Sequence, residues 1–229
     1  MVWRCSISKS AARIQLVEVE GTLTNFSISI PKEGTGRPLL SSLVRDINIE
    51  TGLIPETVFS NLAKLEYLNL TDNSFDGLLS SNISKLSKLI HLRLGRNQLT
   101  SPIPEDIGLI SDLQLLEMYN NSFKGQIPSS IGELRMLQLL DLRENALNST
   151  IPCTNLTYLA LAVNSLTGVL SLSLTNLIKI SDLGLSDNSL SGEISPSFIT
   201  NWTELTSLQL QNNLFQWENS TGDHYSLSV

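Results

Sequence analysis

The chain has 229 residues, of which 41% are hydrophobic and 16% charged, with a formal net charge of −7. That length suits one ordinary domain or a short repeat array, and the hydrophobic share excludes disorder over the whole chain. With an acidic balance and no run of Lys or Arg, nucleic acid and an anionic membrane surface are both disfavoured as partners.

Residues 1–50 read as a degenerate, cap-like segment with a remnant of a first repeat. Arg4 is followed by no apolar run, so the start does not read as a signal peptide, and nowhere do about 18 apolar residues occur together as a membrane span needs. Leu16, Val17 and Val19 suggest a strand, and Gly21 a turn after it. Between Pro31 and Asp46 no pattern is visible, and Ile47 and Ile49 suggest a further strand. The segment from Glu33 to Gly36 is too short for a phosphate loop.

From residue 51 to 216 the chain is periodic. LAKLEYLNLTDNSFDG returns as LSKLIHLRLGRNQLTS, ISDLQLLEMYNNSFKG and LRMLQLLDLRENALNS, each beginning 24 residues after the last. An asparagine marks every copy, at Asn73, Asn97, Asn121, Asn145, Asn164, Asn188 and Asn213. Ahead of it stands an apolar-x-apolar pair: Leu68/Leu70, Leu92/Leu94, Leu116/Met118, Leu140/Leu142, Leu159/Leu161, Leu183/Leu185 and Leu208/Leu210. Period two implies a short strand with these side chains inward and the intervening ones outward. Stacked copies would form a parallel sheet, each closing its core against its neighbours. The asparagines are read as structural, their amides capping backbone groups where the chain leaves the strand. Gly77, Gly125, Gly168 and Gly192 follow four residues later, and Ile-Pro occurs at 103–104, 127–128 and 151–152. Glycine permits the turn there, and proline fixes an extended backbone.

The periodic pattern LxxLxxLxLxxNxLxGxIPxxIGxL resembles the plant-specific repeat of leucine-rich-repeat receptor-like kinases and receptor-like proteins, over residues 52–216. The resemblance implies an α/β-type repeat solenoid: a right-handed superhelix with a parallel β-sheet on the concave face and a 3-10 or irregular convex side. It also implies an ectodomain fragment at the extracellular face of the plasma membrane. That fragment would perceive a secreted peptide or protein ligand, in defence or development, with a leucine-rich-repeat co-receptor. The family's transmembrane segment and Ser/Thr kinase domain are not in this sequence. Plant inhibitors of polygalacturonase share the repeat and offer an alternative reading as a soluble inhibitor of a cell-wall hydrolase. Plant ice-binding repeat proteins offer a third, which needs a regular column of Thr or similar residues.

Two departures from the pattern stand out. Between Asn145 and Asn164 the spacing falls to 19 residues, where a thinner core is expected, with Cys153 at the junction as a small, partly buried apolar residue. At the end of the array Trp217 stands where glycine is expected, and residues 217–229 read as an irregular tail.

Outward strand positions make the expected binding face. Arg93, Glu117 and Asp141 fall on consecutive strands about 4.8 Å apart and form a charged column, flanked by Arg96, Tyr119, Arg143 and Glu144. The copies that follow carry only Ala160, Ala162, Val163, Gly184 and Ser186. These charges either engage a ligand or pair across strands as a solvated face. N-glycosylation sequons occur at Asn25, Asn69, Asn82, Asn120, Asn148, Asn155, Asn201 and Asn219. Cys5 and Cys153 make no disulfide framework, and with His91 and His224 they make no zinc site, so neither metal nor cofactor is expected. No G-x-S-x-G, H-E-x-x-H or kinase signature is present, and the chain reads as non-catalytic.

Overall fold

The computed structural model describes residues 52–54, 56–148 and 156–218, together with the strands Val2–Ser8, Arg13–Val19, Phe26–Ser29, Ser42–Val44 and His224–Ser226. Each repeat contributes one three-residue strand: Tyr67–Asn69, His91–Arg93, Leu115–Glu117, Leu139–Asp141, Tyr158–Ala160, Asp182–Gly184 and Ser207–Gln209. They pair in parallel and in chain order, and Ser42–Val44 joins ahead of the first to make an open eight-stranded sheet. The middle residue of each strand is the first leucine of the apolar pair. Register stacks Leu68, Leu92, Leu116, Leu140, Leu159, Leu183 and Leu208 in one line, and the first six are at most 1% exposed.

The convex side closes this core with one turn of 3-10 helix per repeat, at Ser81–Lys85, Glu105–Leu109, Ser129–Glu133 and Leu172–Asn176. Each presses one fully buried aliphatic side chain inward, from Ile83, Ile107, Ile131 and Leu174. The preceding residue sets the start. Ser80 and Ser171 accept a hydrogen bond from the backbone N–H two residues on, whereas Pro104 and Pro128 supply an extended backbone and no donor. Six-residue α-helices take this place at Glu56–Asn61 and Pro196–Asn201. Behind the second helix Trp202 stacks on Phe198 at 5.2 Å and donates its indole N–H to the Leu174 carbonyl at 3.0 Å, so its polar atom is paired inside the core.

The asparagines tie one repeat to the next. The Asn97 amide nitrogen donates to the carbonyls of Leu94 and Gly95 in its own turn and to Leu70 in the preceding repeat. Its carbonyl accepts the backbone N–H of Phe75 at 3.0 Å. The same four contacts recur at Asn121, Asn145, Asn164, Asn188 and Asn213. In this way the chain can leave the sheet without abandoning buried backbone groups.

The residue before each asparagine is left-handed: Asp72, Arg96, Asn120, Glu144, Val163, Asp187 and Asn212 all have φ between 52° and 58°. Six of these are polar or charged. Val163 is β-branched, for which this conformation is strained, and its side chain is 49% exposed. Val163→Asn should therefore raise stability by about 1 kcal/mol, read as a higher urea midpoint. A lower midpoint would mean that the valine contributes packing that outweighs its strain.

Further features concern the short repeat and the two ends of the array. On the sheet side of the short repeat Leu156, Leu159, Leu161 and Leu166 are fully buried, and strand register passes unbroken from Leu139–Asp141 to Tyr158–Ala160. Residues 149–155, where the thinner core is expected, and Cys153 among them, lie outside the described residues. Three short parallel pairings run through the glycine turns: Asp76–Gly77 with Gln98–Leu99, Lys124–Gly125 with Ala146–Leu147, and Thr167–Val169 with Ser189–Glu193 and then Leu214–Glu218. His224–Ser226 adds to the last of these as an antiparallel strand. Near the start, Arg13–Val19, which holds Leu16, Val17 and Val19, is the middle strand of a three-stranded antiparallel sheet. Ile47 and Ile49 lie outside the described residues, and the strand that extends the large sheet is Ser42–Val44.

Candidate functional site

With leucines inward, the residues on either side of each strand centre face outward in rows that cross the sheet. One row runs Asn69, Arg93, Glu117, Asp141, Ala160, Gly184 and Gln209. Its charges are paired. Arg93 Nε lies 3.1 Å from Glu117 Oε2, across one strand spacing. Asp141 turns along its own strand instead. Arg143 grips it in bidentate fashion, Nη2 to Oδ2 at 2.7 Å and Nε to Oδ1 at 2.9 Å, and the Arg143 backbone N–H adds a third bond at 3.2 Å. The expected column of three charges is thus two separate ion pairs.

Exposure divides these pairs unequally. The Arg93 and Arg143 side chains are 41% and 42% exposed, against 20% for Glu117 and 5% for Asp141. Burial pushes the Glu117 carboxyl above the usual carboxylate range, and Arg93 only partly offsets it. Arg143 is held still more firmly protonated, chiefly by its bonds to Asp141. The outer layer of the patch is therefore guanidinium, and the carboxylates lie beneath.

Tyr119 organises the next row. Its ring lies over Gly95, where a Cβ would come within 2.5 Å of it, so only glycine leaves room. The guanidinium carbons of Arg143 and Arg96 stand 5.7 and 6.0 Å from the ring centre. Arg96 also reaches Asp72 at 3.3 Å, and Glu144 accepts a hydrogen bond from the Asn120 amide. All seven residues named from the sequence for this face thus fall within the second to fourth repeats, with Arg96 and Glu144 in the left-handed row at its edge.

One row escaped the sequence reading. Tyr67, His91, Leu115, Leu139 and Tyr158 are in register one residue before the central leucines, and all are partly exposed. Tyr67 and His91 meet edge to face at 4.8 Å. Burial lowers the His91 pKa, with Arg93 adding to the effect, and burial raises that of Tyr158. The signal was present in the strand alternation, which turns both flanks of each central leucine outward.

Of the sequons, Asn120, Asn148 and Asn201 are exposed, while Asn69 and Asn82 are half-buried. Asn69 accepts the Thr71 N–H at 3.0 Å, and Asn82 donates to Glu56 at 2.7 Å. Asn25, Asn155 and Asn219 lie outside the described residues. Among the described residues no cluster of His, Cys, Asp or Glu is arranged to hold a metal, and no helix is long and apolar enough to cross a membrane.

The leucine-rich-repeat family model matches residues 64–86, 88–109 and 112–134. The chain is a leucine-rich-repeat protein. Its fold is similar to the ectodomain of the Arabidopsis thaliana membrane receptor kinase GASSHO1/SCHENGEN3, solved with CASPARIAN STRIP INTEGRITY FACTOR 2. That match has a TM-score of 0.69 and 36% identity, over 72% of this chain and 20% of the receptor chain. The Arabidopsis receptor kinase HAESA, solved with the peptide hormone IDA and the co-receptor SERK1, matches at TM-score 0.68 and 29% identity, over 72% of this chain and 28% of that one. A plant ice-binding protein matches at TM-score 0.67 and 26% identity, over 78% of this chain and 58% of its own. No curated protein matches the sequence. The leucine-rich-repeat chain thus spans less than a third of the length of the receptor chains.

Proposed function

We propose that the chain is a ligand-recognition segment of a plant receptor-kinase ectodomain, taking a secreted peptide or protein on its concave face at the cell surface, in defence or development. A leucine-rich-repeat co-receptor completes the complex, as the co-receptor SERK1 does with HAESA. The observation that carries this reading is the concentration of polar chemistry on the second to fourth repeats, where Arg96 and Arg143 flank Tyr119 and Arg93 pairs with Glu117. Such an arrangement is pre-ordered: a ligand meets Arg93 and Arg143 already fixed by the carboxylates of Glu117 and Asp141 beneath them. A glycan on Asn69 would cover the first strand of the face, leaving the surface from Arg93 onward. The ice-binding reading gains nothing from the rows, since Thr71, Gly95, Tyr119 and Arg143 succeed one another with no repeated residue.

The test must respect the ion pairs. Removing Arg143 alone would leave Asp141 buried and unpaired, at a cost of about 3 kcal/mol or more. Arg93→Ala and Arg143→Ala, combined with Glu117→Gln and Asp141→Asn, remove the guanidiniums of both ion pairs together with the charges they cover. Binding to the peptide or protein captured from plant apoplastic fluid should fall by at least about tenfold, measured by surface plasmon resonance. Unchanged affinity with an unchanged thermal midpoint removes this patch as the recognition surface.

A further inference from the structure

Two rows of the concave face run side by side with opposite character. Tyr67, His91, Leu115, Leu139 and Tyr158 form an apolar and aromatic row, which ends where Asp182 takes the next position. Two residues further along each strand, about 6.6 Å away, lies the row containing Arg93 and Glu117, with Arg143 reaching back to Asp141. Because the carboxylates are covered and the guanidiniums are not, that second row presents positive charge outward on a chain whose net charge is −7.

Resting on the concave-face reading above, we infer that the ligand is an extended peptide segment lying along the boundary of these rows, alternating apolar side chains with acidic ones. The geometry fits that pattern. An extended chain points successive side chains to opposite sides, and alternate ones repeat at about 6.7 Å. The five strands of the apolar row cover about 19 Å, so three apolar side chains spanning about 13 Å fall within it. The residues between them point toward Arg93 and Arg143, where Asp or Glu can accept charge-assisted hydrogen bonds without displacing Glu117 or Asp141. A basic segment would meet guanidiniums instead, and a uniformly acidic one would leave Leu115 and Leu139 uncovered. The apolar row is also half-buried and one residue wide on each strand, which suits a thin extended chain better than a helix with its diameter of about 10 Å.

The experiment is to pan a random peptide display library against the full chain and to measure one synthetic representative by fluorescence anisotropy. The selected sequences should alternate aliphatic or aromatic residues with Asp or Glu. Affinity of the representative should drop about tenfold in Leu115→Ser/Leu139→Ser, and again in Arg93→Gln. Should the leucine variant fold poorly, a benzophenone in the central apolar position of the peptide keeps the question open to measurement in the unaltered protein. Its crosslinks should map to the strands between His91 and Tyr158. Peptides that bind the same strands but are basic, or lack the alternation, overturn this inference and leave concave-face recognition standing. Peptides whose crosslinks fall elsewhere, and which ignore both sets of variants, overturn the two together.

Discussion

Asn97→Ala should lower stability by about 3 kcal/mol or more, whereas Asn73→Ala should cost only about 1 kcal/mol. Asn97 is 8% exposed and serves two repeats, accepting from the Phe75 N–H and donating to the carbonyls of Leu70, Leu94 and Gly95. Truncation strands these groups where water cannot replace the amide, and each unpaired buried group costs about 1–3 kcal/mol. Among the described residues Asn73 donates to Leu70 and Thr71, within its own turn. Urea unfolding followed by circular dichroism measures both variants. Equal losses at the two positions would show that the contacts between repeats add nothing. Asn97→Asp adds a sharper comparison: it keeps the acceptor for Phe75 but points a carboxylate at three carbonyls, so it should be no better than alanine at neutral pH.

The second large effect lies in the core. Two residues after the asparagine, Phe75, Leu99, Phe123, Leu147, Leu166, Leu190 and Phe215 form a stacked line, each at most 2% exposed. Phe123→Ala should cost about 3–5 kcal/mol, as the ring is fully buried in the line between Leu99 and Leu147, and the large sheet and the Lys124–Gly125/Ala146–Leu147 pairing hold the cavity open. Phe123→Leu should cost far less, about 1 kcal/mol, because leucine fills the same place in both adjacent repeats. Thermal unfolding of the two variants gives the comparison. A leucine variant as damaged as the alanine one would mean that the line is fitted ring by ring and does not accept either residue at any level.

Much of this architecture is legible in the sequence because its causes repeat. Leu68, Leu92 and Leu116 recur because each must point into the same core, and Asn97 and Asn121 recur because each meets the same stranded backbone groups. Side chains that face solvent escape this logic. Leu115 and Leu139 are apolar but outward, and a reading that assigned apolar residues to the interior had no place for the row they form. The partner of Asp141 was equally hidden. Arg93 shares its row and Arg143 stands two residues along its own strand, and only side-chain direction shows that Arg93 pairs with Glu117 and Arg143 with Asp141. Val163 breaks the local preference of its own position, so propensity pointed away from the left-handed conformation that its neighbours enforce. Trp202 meets Leu174 across 28 residues, a contact that no local pattern encodes.

The repeat of 19 residues has a consequence for how such arrays diversify. Its strand keeps register with both neighbours, and Asn164 completes the same bonds to Leu142 and Leu147 as its counterparts do. A repeat five residues shorter than its 24-residue neighbours therefore leaves the register of the concave rows untouched. Repeat length and recognition are separate currencies of variation. Rows facing a ligand can then change residue by residue while the backbone that carries them stays the same.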